Sequence, residues 1–268
     1  MRPFFLLWAS SALVAAKALS VPNIAASGAS SSQSVHNAVP LGSRFPSSSV
    51  SLNDFLAQLA LLFPFDVLVQ NAADLTLFAQ NVIAKVWDIS TTQDAIVCAD
   101  VTIVFARGTN EAGNVGVLVG PEFFDAVAAR LAPRRTMAVQ GVNYPASIPG
   151  FLQGGDPLGS QQMVLDVRRL LGGCPNTKLV LSGYSQGGQV VHNTANLLSA
   201  SALARVSSTV IFGDPKYPAL LAGIPASRQL VICHDTDDIC GGGDLIRASH
   251  LDYAMDVDEA ADFVMRWL

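Results

Sequence analysis

Charge is scarce in this sequence. Only 14% of its 268 residues are Asp, Glu, Lys or Arg, and the 16 Lys and Arg are outnumbered by 21 Asp and Glu, for a formal net charge of −5. No basic stripe exists to neutralise phosphates, which argues against a nucleic-acid partner. Arg134-Arg135 and Arg168-Arg169 are the densest basic pairs and read as solvated helix ends. Histidine is also rare, at four residues, and no Cys-x-x-Cys pair or His-Glu-x-x-His stretch is present. A metal site is therefore not expected. The absence of a Gly-x-x-x-x-Gly-Lys loop removes the commonest nucleotide cradle, so no cofactor is expected. No apolar run reaches the ~20 residues that a membrane span requires. The run from Phe4 to Ala16 is too short, and Gln58, Asp66, Gln70, Asp74 and Gln80 interrupt the later one.

What is abundant is apolar surface, at 50% of residues, enough for a substantial core. Arg2, the apolar run after it and Ala16-Lys17-Ala18 form a secretory signal pattern over residues 1–20, predicting an extracellular protein. Four cysteines, Cys98, Cys174, Cys233 and Cys240, suit two disulfides in that setting. Three pairings are possible. Residues 21–50 are rich in Ser, Ala, Pro and Asn, as expected of a disordered linker or pro-segment. Residues 51–90 are strongly apolar and read as a helical extension. Leu52, Phe55, Leu59 and Phe63 recur at helical spacing up to Pro64, and a second helix is predicted over 65–87. Such stripes are usually buried, so the extension is expected to pack on the rest of the chain, as a pro-region or lid, rather than bind lipid.

From residue 91 the pattern alternates. Strands are predicted at 101–105, 137–142, 178–182, 206–212 and 229–233. Helices are predicted at 122–131, 158–171, 186–198 and 259–268. Repeated β-α-β units imply a parallel sheet with helices on both faces.

The most informative stretch is Leu179-Val180-Leu181-Ser182-Gly183-Tyr184-Ser185-Gln186-Gly187-Gly188. A buried strand feeds a Gly-x-Ser-x-Gly turn, and a helix follows. Small residues let the chain turn sharply with Ser185 at the apex and aim the next N–H, that of Gln186, at a carbonyl under attack. A serine hydroxyl needs a base, and the base needs an orienting carboxylate. His234 and His250 are candidates for the base. Asp235, Asp237, Asp238 and Asp244 are candidates for the acid. His192, on the nucleophile's own helix, is expected to point away from Ser185. Chemistry alone does not choose further.

Several blocks together resemble one family, the cutinases and the related acetylxylan esterases. They are Phe105-Ala106-Arg107-Gly108-Thr109-Asn110-Glu111, Gly141 to Ala146, Gly183 to Gly187, Cys233-x-x-x-Asp237-x-x-Cys240 and Ser249-His250-Leu251-x-Tyr253. The resemblance covers about residues 98–268. It implies a three-layer α/β/α sandwich around a central parallel sheet, small and α/β-hydrolase-like. It implies Ser185, Asp237 and His250 as the catalytic residues, with Thr109 and Gln186 in the oxyanion hole. It pairs Cys98 with Cys174 and Cys233 with Cys240. The long segment before residue 91 departs from the family pattern.

The function expected from this resemblance is a secreted serine esterase acting on cutin-like polyesters or short-chain acyl esters. An acetylxylan esterase is the nearer alternative, and a catalytically inert surface-binding protein the more distant one. Ile148 to Leu152 and the loop 241–246 are expected to line the cleft, with Leu152, Leu245 and Ile246 favouring acyl chains. The expected partner is the ester substrate itself, and the expected state is a monomer.

Overall fold

A computed structural model describes residues 67–71, 80, 84–85, 88–95 and 97–268. The predicted signal segment, the linker over 21–50 and the first predicted helix lie outside the described residues.

The chain order is β1 (Val67–Leu68), β2 (Val101–Ala106), α1 (Gly120–Leu131), β3 (Met137–Gly141), α2 (Ile148–Leu152), α3 (Pro157–Gly173) and β4 (Lys178–Tyr184). It continues with α4 (Gln186–Leu197), α5 (Ala200–Leu203), β5 (Val206–Phe212), β6 (Gln229–Ile232), β7 (Leu245–Ile246), α6 (Ala248–Leu251) and α7 (Val257–Met265). Five strands form one parallel sheet in the order β3-β2-β4-β5-β6. Every residue of β2 and β5 is buried, because helices cover both faces.

Strand alternation divides the core into two layers. Val101, Ile103 and Phe105 point to one face, where Phe123, Phe124 and Val127 of α1 meet Val257, Ala260 and Val264 of α7. Val104, Ala106, Leu179 and Leu181 point to the other, against Met163 and Val167 of α3 and Val190 and Val191 of α4. The result is the α/β/α sandwich expected. Helix starts follow local chemistry. Asp156 caps α3 by accepting from the N–H groups of Leu158 and Gly159, and Pro157 supplies the first helical residue.

Both disulfides have the expected partners, Cys98–Cys174 and Cys233–Cys240. The first ties the segment before β2 to the end of α3. The second closes the short loop that carries Asp237.

The helix predicted over 65–87 is corrected at its start. Val67–Leu68 is a strand, paired antiparallel with β7 through Val67–Ile246 and Leu68–Leu245, and a 3-10 turn follows over Val69–Asn71. Gln80, Ala84 and Lys85 are helical. A short apolar run cannot reveal by periodicity whether it will become strand or helix. Here the edge of β7, far away in sequence, decides in favour of β-branched Val67.

Candidate active site

The site forms where the strands end. Strand β4 runs into Ser185 and helix α4 leaves it, so the serine occupies a sharp turn with φ 56° and ψ −121°. A non-glycine residue in that region is strained by ~1–3 kcal/mol, and the surroundings must hold it there. They do so through two hydrogen bonds, Ser185 N–H to the Phe212 carbonyl at 2.9 Å and Gly188 N–H to the Ser185 carbonyl at 2.8 Å. The turn also requires glycine at Gly187. A Cβ there would lie 1.9 Å from the Ala106 carbonyl oxygen.

His250, in α6, presents Nε2 to Ser185 Oγ at 3.0 Å. Its Nδ1 lies 2.8 Å from Asp237 Oδ2. Of the two candidate bases the structure brings His250 to the serine, and of the four candidate acids it brings Asp237 to His250. All three side chains are buried, with Ser185 at 6%, Asp237 at 4% and His250 at 2% exposure. Asp237 is further held by Tyr253, whose hydroxyl donates to Oδ2 at 2.6 Å, and by the Ile239 N–H, which donates to Oδ1 at 3.0 Å. Burial opposes its ionisation, but the bonds from His250, Tyr253 and Ile239 outweigh it and hold the carboxyl below the usual carboxylate range. An ionised, immobile carboxylate fixes the ring so that the other nitrogen can accept the serine proton.

Of the other candidates, the Asp238 carboxylate accepts from the Leu245 N–H, and the Asp244 backbone carbonyl accepts from the Val69 N–H. His234 sits beneath the histidine loop. Its Nδ1 faces the Ser249 carbonyl at 2.7 Å and Asp252 at 3.1 Å, and its Nε2 faces Asp256 at 2.9 Å. Both ring nitrogens therefore meet acceptors, which only the protonated ring can satisfy. Burial lowers its pKa, but the Ser249 carbonyl and the Asp256 carboxylate reverse this, and the net shift is upward. The ring also stacks on Tyr253 at 4.2 Å. His192 points away from the serine, as expected, and pairs with buried Asp214 at 2.8 Å.

Thr109 and Gln186 meet on the other side of the serine. The Gln186 side-chain amide donates to Thr109 Oγ1 at 2.9 Å and to the Ser147 carbonyl at 2.8 Å. The Thr109 hydroxyl thus acts as an acceptor toward Gln186, and this bond fixes the loop that carries it. Glu111 organises the same loop. Buried at 4% exposure, it accepts from the N–H groups of Gly108, Val117 and Leu118 at 2.7–3.0 Å. Burial raises its pKa, and those N–H groups and Arg107 only partly offset this.

Sequence reasoning did not assign roles to Tyr253, Tyr184 or Glu111, and weighed His234 only as an alternative base. Tyr184 stacks on His250 at 5.3 Å, and its hydroxyl donates to the His250 carbonyl at 2.7 Å. The signal available for Tyr253 was its place three residues after His250. Nothing local pointed to Glu111, whose bonds depend on how the following loop folds back.

The cleft at Ser185 is lined by Thr109, Glu111, Leu118, Ile246, His250 and Leu251, and also by Val69 and Gln80 from the segment before residue 91. Its volume is about 30 Å³, room for little more than water. Ile246 lines it as expected. Leu152 does not and is 54% exposed. Its neighbour Phe151 turns inward and packs with Val69 and Ile239. Successive residues of a helix point about 100° apart, so the two neighbours face different ways.

A serine at a strand–helix elbow of a parallel sheet, with a histidine and an aspartate in line behind it, defines the class as a serine hydrolase of the α/β-hydrolase type. The family profile described as Cutinase matches residues 97–268. Cutinase cut1 of Trichoderma harzianum is 49% identical over 214 residues, covering 80% of this chain and 85% of that protein. The structure of Trichoderma reesei cutinase in complex with a C11Y4 phosphonate inhibitor aligns with a TM-score of 0.70 at 46% identity, covering 81% of this chain and 97% of that one. An acetyl xylan esterase structure aligns with a TM-score of 0.51 at 25% identity, covering 64% and 99%. The chain belongs to the cutinase family and is a serine carboxylic ester hydrolase.

Proposed function

We propose that this enzyme hydrolyses cutin-like polyesters and short-chain acyl esters outside the cell, with Ser185 as nucleophile, His250 as general base and Asp237 as the acid that orients it. The observation that carries the assignment is the pair of contacts at His250, 3.0 Å to Ser185 and 2.8 Å to Asp237. Ser185 attacks the ester carbonyl as His250 takes its proton. Asp237 stabilises the imidazolium that results. The proton then passes to the departing alcohol, and water, activated by the same imidazole, hydrolyses the acyl-enzyme. The N–H groups of Thr109 and Gln186 receive the oxyanion. Gln186 suits this role because the first N–H groups of a helix have no intrahelical partner and sit at its positive end.

Leu118, Ile246, Leu251 and Val69 give the cleft an apolar lining, which favours an acyl chain over the acetyl group of a sugar polymer. The higher identity to cutinases than to an acetyl xylan esterase supports the same choice. Val69 and Gln80 share the lining of that narrow cleft with Ser185, so a bulky ester needs more room than the cleft offers in this conformation. An extracellular setting follows from two disulfides together with the leader-like residues 1–20.

Ser185→Ala tests the assignment. Turnover of p-nitrophenyl butyrate should fall at least ~10⁴-fold with the thermal unfolding midpoint retained. Turnover at the original rate would refute it. Initial rates on p-nitrophenyl acetate, butyrate and palmitate, with cutin and acetylated xylan alongside, test the substrate. Preference for acetylated xylan would overturn the polyester reading.

A further inference from the structure

A second cleft, larger than the one at Ser185, opens among the described residues. It lies at the opposite end of the sheet, where β4 and β5 begin, and has a volume of about 440 Å³. Lys178 opens β4 and Ser185 follows its last residue, so the two sites are separated by the length of a seven-residue strand, ~20 Å. Its walls carry Lys178, Arg205, Arg228, Asn176 and Trp267, and no Asp or Glu.

The charge here is uncompensated. Arg205 donates through Nη2 to the Pro175 carbonyl. Arg228 donates to the Val206 carbonyl at 3.5 Å and lies over the Trp267 ring at 5.5 Å. Neutral partners thus hold both guanidinium groups in place. Neither they nor Lys178 form an ion pair among the described residues, whereas Arg130 and Arg169 elsewhere meet aspartates. In a chain of net charge −5 this is a local reversal of sign.

We propose that this cleft is a second binding site, separate from the ester chemistry, for a uronic acid unit of a polysaccharide. Guanidinium forks and an ammonium match a carboxylate in charge and geometry. Trp267, packed on the core and covered by Arg228, braces that guanidinium at the cleft wall, and the Asn176 amide adds donors and an acceptor for sugar hydroxyls. The volume is that of a small-ligand site. An extended polyphosphate fits less well, because the cations are gathered in one pocket and the molecule around it is acidic.

The test is calorimetric titration of the full chain with trigalacturonate at low ionic strength. Saturable binding is expected, weakened about tenfold or more in the Arg205→Gln/Arg228→Gln double variant, with the initial rate on p-nitrophenyl butyrate unchanged. Should the double variant fail to fold, exposed Lys178→Gln carries the test, with a smaller loss expected. The proposal is overturned by absence of binding, by full binding in the folded charge-removed variant, or by equal binding of the neutral galactose trimer. Inorganic sulfate competing mole for mole would reduce the cleft to a simple anion site. Monomeric galacturonate binding as tightly as the trimer would overturn the assignment to a polysaccharide.

Discussion

Helix α4 carries one buried histidine–aspartate pair and meets another at its first turn. His192 and Asp214 are 2.8 Å apart, as are His250 and Asp237. Both pairs are buried. They differ in what the second ring nitrogen meets. His250 bonds Asp237 through Nδ1 and turns Nε2 to Ser185 Oγ. His192 uses Nε2 for Asp214, which also accepts from the Lys216 N–H, and so closes the turn after β5. A buried imidazole–carboxylate pair is therefore a structural unit until a nucleophile stands at its far end.

The strongest test of this contrast removes one acid from each pair. Asp237→Asn should lower kcat for p-nitrophenyl butyrate by on the order of 10⁴-fold while the fold survives, because the amide favours the wrong tautomer of His250. Asp214→Asn should do the opposite, costing ~1–3 kcal/mol in denaturant unfolding and leaving turnover within the same order of magnitude. Similar kinetic losses in both variants would erase the distinction.

Tyr253→Phe sharpens the comparison, since only the Asp237 pair has a tyrosine hydroxyl behind it. Loss of one hydrogen bond to a charged carboxylate should lower kcat about tenfold with KM little changed. An unchanged kcat would reduce Tyr253 to packing.

His234 gives the third pair its own pH signature. Its pKa is raised by the fold, so its contribution to stability is complete below its ordinary value of 6.5 and is lost as pH rises through the raised one. Asp237 has the reverse sign. Its contribution is present above the ordinary carboxylate value and is lost as pH falls through the lowered one. Thermal unfolding of the parent and His234→Gln, compared across pH, should differ most in mildly acidic solution and converge in alkaline solution. A constant difference would remove the charge from the explanation.

The smallest effect concerns access. Val69→Ala widens the narrow cleft at Ser185 without touching either pair, and should raise kcat/KM for p-nitrophenyl palmitate severalfold, up to ~10-fold. An unchanged rate would argue that the segment does not limit entry.

The sheet was legible because its strands are short apolar runs divided by helices of clear period. Val206 to Phe212 is buried along its whole length, Ser207 and Ser208 included, because helices cover both faces of the strand. The segment 67–71 was not legible, since its strand exists only because β7 offers an edge. The elbow could be read from the small residues around Ser185, which the turn itself demands. His250 and Asp237 could be named only through resemblance to a family. The supporting residues Tyr253, Tyr184 and Glu111 were left without roles, and His234 was read only as an alternative base.

The sequence by itself determined the α/β alternation, the strand–helix elbow at Ser185, and the small set of histidines and aspartates available to it. Those features rest on neighbours in the chain, where spacing and residue size act directly. Tertiary structure alone decided which histidine is bound to serine, which to structure and which to the loop beneath. It also decided that Val69 and Gln80 line the cleft at Ser185, and that three cations collect at the far end of the sheet. The reason is physical. Hydrogen bonds and charge pairing act over a few ångströms in space, between residues whose separation in sequence, 65 positions for His250 and Ser185, carries no trace of that contact.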